Sequence, residues 1–260
     1  MARSYAHRRQ GERPQPEGRR SERPRVRIDD SGDARALVVD ETFASFYRRG
    51  EIATHCVWDA IAAPILWLRP ERRRRILILG LGGGSVARIA RALAPGAEIV
   101  GVELDSEVVR LARAHFDLDE LEVRVEIADA LEWLRAEVAA RNTGGRTERR
   151  FDVILEDVFL GRGDEVHKPD WIPDPGHRLA RKCLAPGGLL VSNTLDEAPR
   201  VARAMRAAFS SLVSIGTEDY DNRVLVAGGK GLSGSALRRK VAESPILRGS
   251  LPILSFRTRG

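Results

Sequence analysis

The sequence predicts an α/β fold, a mostly parallel seven-stranded sheet wound with helices and finished by an antiparallel hairpin. Three observations predict it. From residue 75 onward, Val/Ile/Leu-rich runs alternate with helical stretches at the spacing of βαβ units. The first of these runs passes into a glycine turn and a helix start at Ile76-Leu77-Ile78-Leu79-Gly80-Leu81-Gly82-Gly83-Gly84-Ser85. The last two runs are joined by only Thr217-Glu218-Asp219-Tyr220-Asp221-Asn222, too short for a crossover, so that pair must be antiparallel.

The elements follow in order. Residues 1–32 read as a basic, polar tail, expected to be disordered because it has too few apolar residues to bury. Residues 33–70 read as a small strand and helix segment. Ala36-Leu37-Val38-Val39-Asp40 suggests a short strand, and apolar residues at helical spacing over 52–68 suggest a helix packed on the main domain. Pro70 and Glu71-Arg72-Arg73-Arg74-Arg75 mark a solvated approach to the first central strand. Residues 71–230 read as the main domain. Its strands are expected at 75–80, 98–103, 122–127, 151–156 and 187–192, and its helices near 84–94, 106–117, 129–141, 175–184 and 195–209. A polar loop is expected at 140–150, and the hairpin over 212–216 and 223–227. Residues 231–260 read as an appended helix and loop. This parallel sheet closed by a hairpin is the Rossmann-like layout of class I methyltransferase folds.

Charge narrows the function classes. Of 43 Lys and Arg and 37 Asp and Glu, residues 1–27 hold nine arginines and three glutamates, the whole net charge of +6. The remaining body is neutral, so nucleic-acid binding is not expected. No long apolar run predicts a membrane span, and no apolar segment behind the early arginines predicts a secretory signal. Cys56 and Cys183 have no metal or disulfide spacing and read as buried free thiols in a reducing cytoplasm. No metal is expected.

The chemistry gathers at the carboxyl ends of the strands. Gly80, Gly82, Gly83 and Gly84 form a turn through which backbone can approach a ligand. Glu103 ends the next strand, where a carboxylate can hold ribose hydroxyls. These two features fit NAD as well as an S-adenosyl ligand. Three more favour the S-adenosyl ligand: Asp129-Ala130 beyond the third strand, the Leu184-Ala185-Pro186-Gly187-Gly188 turn, and the closing hairpin. At the end of the fourth strand Glu156 and Asp157 should point to opposite faces, so only one lines the site. A carboxylate there could take a proton from an amine, or Asp157 could cap a loop or helix. The long loop 160–173 has the length of a lid. His167 reads as an exposed loop residue and Trp58 as core, with His55 open between pocket and core.

These motifs together resemble the spermidine synthase family, the polyamine aminopropyltransferases. The likeness runs over roughly 36–228. It takes in Ile78 to Arg88, Val102-Glu103-Leu104-Asp105 with Val108-Val109, Asp129-Ala130, the Asp152 to Asp157 strand, Pro186-Gly187-Gly188 and Asp221-Asn222-Arg223-Val224-Leu225-Val226. The resemblance implies that Glu103 holds the ribose, that Asp129 and Ala130 meet the adenine, and that the Gly80 to Gly84 turn faces the thio-linked chain. It implies Asp157 as catalytic residue, with S-adenosylmethionine or its decarboxylated form as donor, a small-molecule amine as acceptor, and a homodimer. Three positions depart from the family pattern: Gly83 stands for an aspartate in the turn, Leu160 for the last acid of Asp-Ser-Ser-Asp, and Val57 for a tyrosine. The nucleoside half of the pattern is complete and the amine half lacks two acids. A methyltransferase, or a nucleoside-binding protein without turnover, are the alternatives.

Overall fold

A computed structural model of the chain describes residues 25–142 and 150–259. Residues 1–24 of the expected tail and 143–149 of the expected polar loop lie outside the described residues.

Three antiparallel strands come first: β1 (Val26–Ser31), β2 (Ala34–Val39) and β3 (Thr42–Arg48). The sequence reading put 26–31 in the tail, and that boundary is corrected here. Val26 and Ile28 pack on Leu37, Val108, Leu111 and Phe116, so the end of the arginine-rich segment has an apolar face after all. The helix expected over 52–68 is shorter, α1 (Val57–Ala62) followed by a 3₁₀ stretch Ala63–Trp67. Its start is delayed because the buried Asp59 carboxylate accepts the N–H groups of Thr54 and His55, with His55 at φ +51°. Pro64 lacks the N–H that continued α-helix would use.

The main sheet contains all seven expected strands: β4 (Arg75–Leu79), β5 (Glu98–Glu103), β6 (Val123–Ile127), β7 (Phe151–Glu156), β8 (Leu184–Thr194), β9 (Ser211–Thr217) and β10 (Arg223–Gly228). An eighth, β11 (Leu254–Arg259), pairs with β9 at the edge, so the stretch expected as helix and loop also supplies a strand. The order is β11-β9-β10-β8-β7-β4-β5-β6. The β4, β5, β6, β7 and β8 pairings are parallel, and β10 lies antiparallel to β8 and β9. Both faces are buried, and β4 shows why its sequence has no polar alternation. Ile76 and Ile78 enter one core with α1, α2 (Ser85–Leu93) and α7 (Gly234–Glu243). Leu77 and Leu79 enter the other with α4 (Ala130–Asn142), α5 (Gly176–Cys183) and α6 (Ala198–Ala208). The remaining helix, α3 (Ser106–His115), joins the main domain to the small sheet through Val108 and Leu111.

The arginine block is a fastening rather than a solvated edge. Arg75 is buried, donates twice to Glu98 at 2.8 and 3.0 Å and lies over the Phe151 ring. Arg73 donates to the Leu68 and Leu93 carbonyls. Among the described residues no helix is long and apolar enough to cross a membrane.

Candidate functional site

The strand order reverses at β4, between β5 and β7, and the cleft at such a switch point is where open α/β sheets take ligands. Every predicted site residue lies on that edge. Gly80 to Gly84 follow β4, Glu103 ends β5, Asp129 and Ala130 follow β6, and Asp157 follows β7.

The glycine turn is held from several sides. Gly80 and Leu81 N–H donate to the Val102 carbonyl, Gly82 N–H to Glu103, Gly83 N–H to Ser45 Oγ at 2.7 Å, and Gly84 N–H to the Leu81 carbonyl. All five N–H groups of the turn are used within the protein. A dinucleotide's pyrophosphate draws on free N–H groups of this kind, and these five are already engaged. Gly80 stands at φ +82°, and a Cβ there would meet the Asp157 carbonyl at 2.6 Å, so the turn runs directly against the end of β7. Gly83 is covered by β3, where a Cβ would meet Ser45 Cβ at 2.9 Å. The side chain absent at Gly83 is one the small sheet leaves no room for.

Glu103 is a brace as well as a ligand candidate. Its carboxylate accepts the N–H groups of Gly82, Leu104 and Asp105 at 2.8, 2.8 and 3.2 Å. Of about four lone-pair positions on a carboxylate, that leaves one for a ribose hydroxyl. Burial raises its pKa against the pull of those three N–H groups. Asp129 Oδ1 accepts the Leu131 and Glu132 N–H groups at 2.8 and 3.0 Å, so this exposed side chain caps α4, while Ala130 is buried in the first turn.

The structure adds residues that sequence reasoning passed over. Leu104 and Ile127, 62% and 56% exposed, follow or end neighbouring strands whose register pairs Glu103 with Ile127. Two large apolar side chains standing open at the carboxyl edge offer flat contact to a purine ring. Their signal was present, since Leu104 directly follows Glu103 and Ile127 stands two positions before Asp129.

Glu156 and Asp157 do point to opposite sides. Glu156 turns into the protein, where Lys168 and Ser192 bind it. Asp157 is half-buried on the cleft side. Asn193 Nδ2 donates to its Oδ1 at 2.8 Å, Asn222 Nδ2 donates to Asn193 Oδ1 at 3.1 Å, and the Trp58 indole N–H donates to it as well. Burial pushes its pKa up to about 6, with Glu156 adding to the rise and Lys168, Asn193 and Trp58 opposing it. Such a carboxylate is ionised at neutral pH yet basic enough to accept a proton. It does not act as a helix cap. Trp58 is 3% exposed and packs edge-on against Phe43 at 5.0 Å, so it is core and site neighbour together. His167 is exposed with Nδ1 on the Glu165 carbonyl, and the exposed His55 lies beside Ser250. The loop between β7 and α5 closes on itself through a Leu160–His167 bridge. It also touches the β2–β3 turn through Gly163 N–H on the Asp40 carbonyl and the Arg162–Glu41 ion pair.

No family model matches the chain. Curated relatives do. A probable polyamine aminopropyl transferase of Bifidobacterium longum is 30% identical over 135 residues, 52% of this chain and 26% of the relative. A polyamine aminopropyltransferase of Chromobacterium violaceum is 30% identical over 175 residues, 65% of this chain and 61% of the relative. A ubiquinone biosynthesis O-methyltransferase of Alkalilimnicola ehrlichii is 30% identical over 131 residues, 49% and 44% of the two chains. The chain thus spans about a quarter of the length of the first of these and less than two thirds of the others. Among solved structures, a probable spermidine synthase from Corynebacterium glutamicum superposes with a TM-score of 0.67 at 21% identity, covering 95% of this chain and 91% of that one. Human methyltransferase-like protein 13, solved in complex with SAH, gives 0.59 at 24% identity, covering 78% and 93%. A spermidine synthase in complex with the transition-state analogue AdoDATO gives 0.56 at 16% identity, covering 87% and 84%. The fold is the class I methyltransferase-like fold. The chain is a divergent relative of the polyamine aminopropyltransferases.

Proposed function

We propose that the chain is an S-adenosyl-dependent transferase that moves an aminopropyl group to an amine, with Asp157 as its base. One observation carries the reading. Asp157, its carboxyl pushed up to about 6, follows β7 with its backbone directly against Gly80, on the same sheet edge as Glu103, Leu104 and Ile127. In this reading Leu104 and Ile127 flank the adenine, Asp129 and Ala130 meet its edge, and Glu103 accepts one ribose hydroxyl. Gly80, Gly82, Gly83 and Gly84 lie along the thio-linked chain. Asp157 accepts a proton from the acceptor ammonium. The freed nitrogen lone pair attacks the propyl carbon bonded to sulfur, and the carbon–sulfur bond breaks with its electrons passing to sulfur. Decarboxylated S-adenosylmethionine as donor would then leave methylthioadenosine. Asn193 and Trp58 hold the carboxylate in place, so most of the rate enhancement comes from positioning and one proton transfer. A homodimer and a cytoplasmic location, the latter suggested by the free buried thiols Cys56 and Cys183, belong to the same proposal.

Methyl transfer from S-adenosylmethionine is the second reading. It is favoured by the absence of acids at Gly83 and Leu160, where a diamine's charge would call for them, and by the methyltransferase relative. Incubating the purified chain with each donor and a panel of amines separates the two. Methylthioadenosine released in proportion to amine supports aminopropyl transfer. S-adenosylhomocysteine supports methyl transfer. Neither product with any acceptor would sink both.

A further inference from the structure

Directly behind Asp157 lies a buried charged cluster that the proposed reaction leaves unused. The Glu156 side chain is 1% exposed. Lys168 Nζ donates to its Oε1 at 2.5 Å, Val158 N–H donates to the same oxygen at 2.8 Å, and Ser192 Oγ donates to Oε2 at 2.6 Å. His177 Nε2 lies 3.6 Å from Oε2. The Lys168 side chain is fully buried. Its Nζ also donates to the Val158 carbonyl at 2.8 Å and lies 3.9 Å from the Phe159 ring centroid. Its backbone N–H is held by Glu197 at 2.8 Å. The chain therefore leaves β7 at Val158, travels out through the Leu160–His167 bridge, and returns to Lys168, whose ammonium grips the residue where the excursion began.

We propose that Lys168 is a positioning residue for Asp157. It staples the neck of the 158–168 loop and cancels the charge of Glu156, so that β7 presents one uncompensated carboxylate to the cleft. The argument is Coulombic. Two adjacent carboxylates removed from water resist ionising together, and a cation on one of them relieves the other. Asp157 faces Glu156 from its own strand and Lys168 from the loop, with the neutral donors Asn193 of β8 and Trp58 of α1. Glu156 faces Lys168, His177 of α5 and Ser192 of β8, and Glu197 ahead of α6 closes the set. The direction of the Glu156 pKa agrees: burial would raise it, but Lys168 and His177 hold it below the usual carboxylate range.

The inference rests on Asp157 being the base, so its test must not depend on turnover. Carboxyl-carbon and imidazole NMR titrations of the full chain meet that need for the parent, Lys168→Met, and Lys168→Met/Glu156→Gln. In Lys168→Met the cluster of Glu156, Asp157 and His177 is expected to hold one proton more at pH 7. Its last carboxyl titration should move up by about one pH unit or more, as a coupled pair. The double variant removes both charges, and Asp157 should again titrate alone, within about half a unit of the parent. A parental titration in Lys168→Met, or a double variant displaced like the single one, would overturn the proposal. If Lys168→Met does not fold, Glu156→Gln decides: with Lys168 no longer neutralised, Asp157 should titrate lower than in the parent, and an unchanged or raised titration overturns the proposal. Full activity of Asp157→Asn would refute the base assignment while leaving these titrations as they are.

Discussion

Replacing Asp157 with Asn should stabilise the protein while abolishing transfer. Burial holds this carboxyl at about 6 against an ordinary 3.8. Keeping it ionised in the fold therefore costs about 3 kcal/mol, at roughly 1.4 kcal/mol for each pH unit of that difference. Because the side chain is half-buried, a measured value of about 1–3 kcal/mol is expected after solvent screening. The sign follows from linkage. A carboxyl whose folded pKa is raised costs nothing below its unfolded pKa, where it is protonated in both states. The cost grows as pH rises from 3.8 and is complete above about 6. Asn mimics the protonated form and keeps an oxygen for Asn193 and Trp58. The variant should thus match the parent near pH 4 and exceed it by about 2–12 °C in Tm at pH 8, at roughly 2–4 °C per kcal/mol for a domain of this size. Thermal melts at half-unit intervals between pH 4 and 8 give the curve. In the parent, kcat/KM should fall below pH about 6 with unit slope, as Asp157 takes up its proton. A variant less stable than the parent at pH 8, or a difference that does not vary with pH, would refute the reasoning. Retained activity would refute the assignment of the base.

Other outcomes test the rest of the site. Gly83→Asp should cost about 2–4 kcal/mol in urea unfolding, because its Cβ would collide with Ser45, and Ser45→Gly in the same chain should recover most of the loss. A deficit that Ser45→Gly leaves untouched would mean that β3 does not set the residue at that position. Leu104→Ser and Ile127→Ser remove exposed side chains and should change stability by less than about 0.5 kcal/mol. Calorimetric affinity for methylthioadenosine should nonetheless weaken about tenfold in each, and an unchanged Kd would remove them from the adenine site. Glu103→Gln should weaken the same ligand and also lower stability by about 1–2 kcal/mol, since the brace on Gly82, Leu104 and Asp105 loses its charge. Affinity lost with stability intact would make Glu103 a ligand residue without the bracing role.

The sequence by itself determined the main sheet and the edge on which the chemistry sits. Apolar runs at βαβ spacing, a glycine turn after the first central strand and a six-residue link before the last are local signals. They placed Gly80, Glu103, Asp129 and Asp157 together once the crossovers were taken as right-handed. Strand alternation was enough to separate Glu156 from Asp157. Tertiary structure decided what those residues touch. Ser45 reaches Gly83 across 38 positions, Asn193 reaches Asp157 across 36, and Lys168 returns to Glu156 across 12. The edge strand 254–259 and the strand 26–31 likewise depend on partners, β9 and β2, without which their mixed polar pattern favours no particular state. Hydrophobic period and turn chemistry are set by neighbours in the chain. Hydrogen bonds to a buried carboxylate are set by whichever elements the completed fold brings against it.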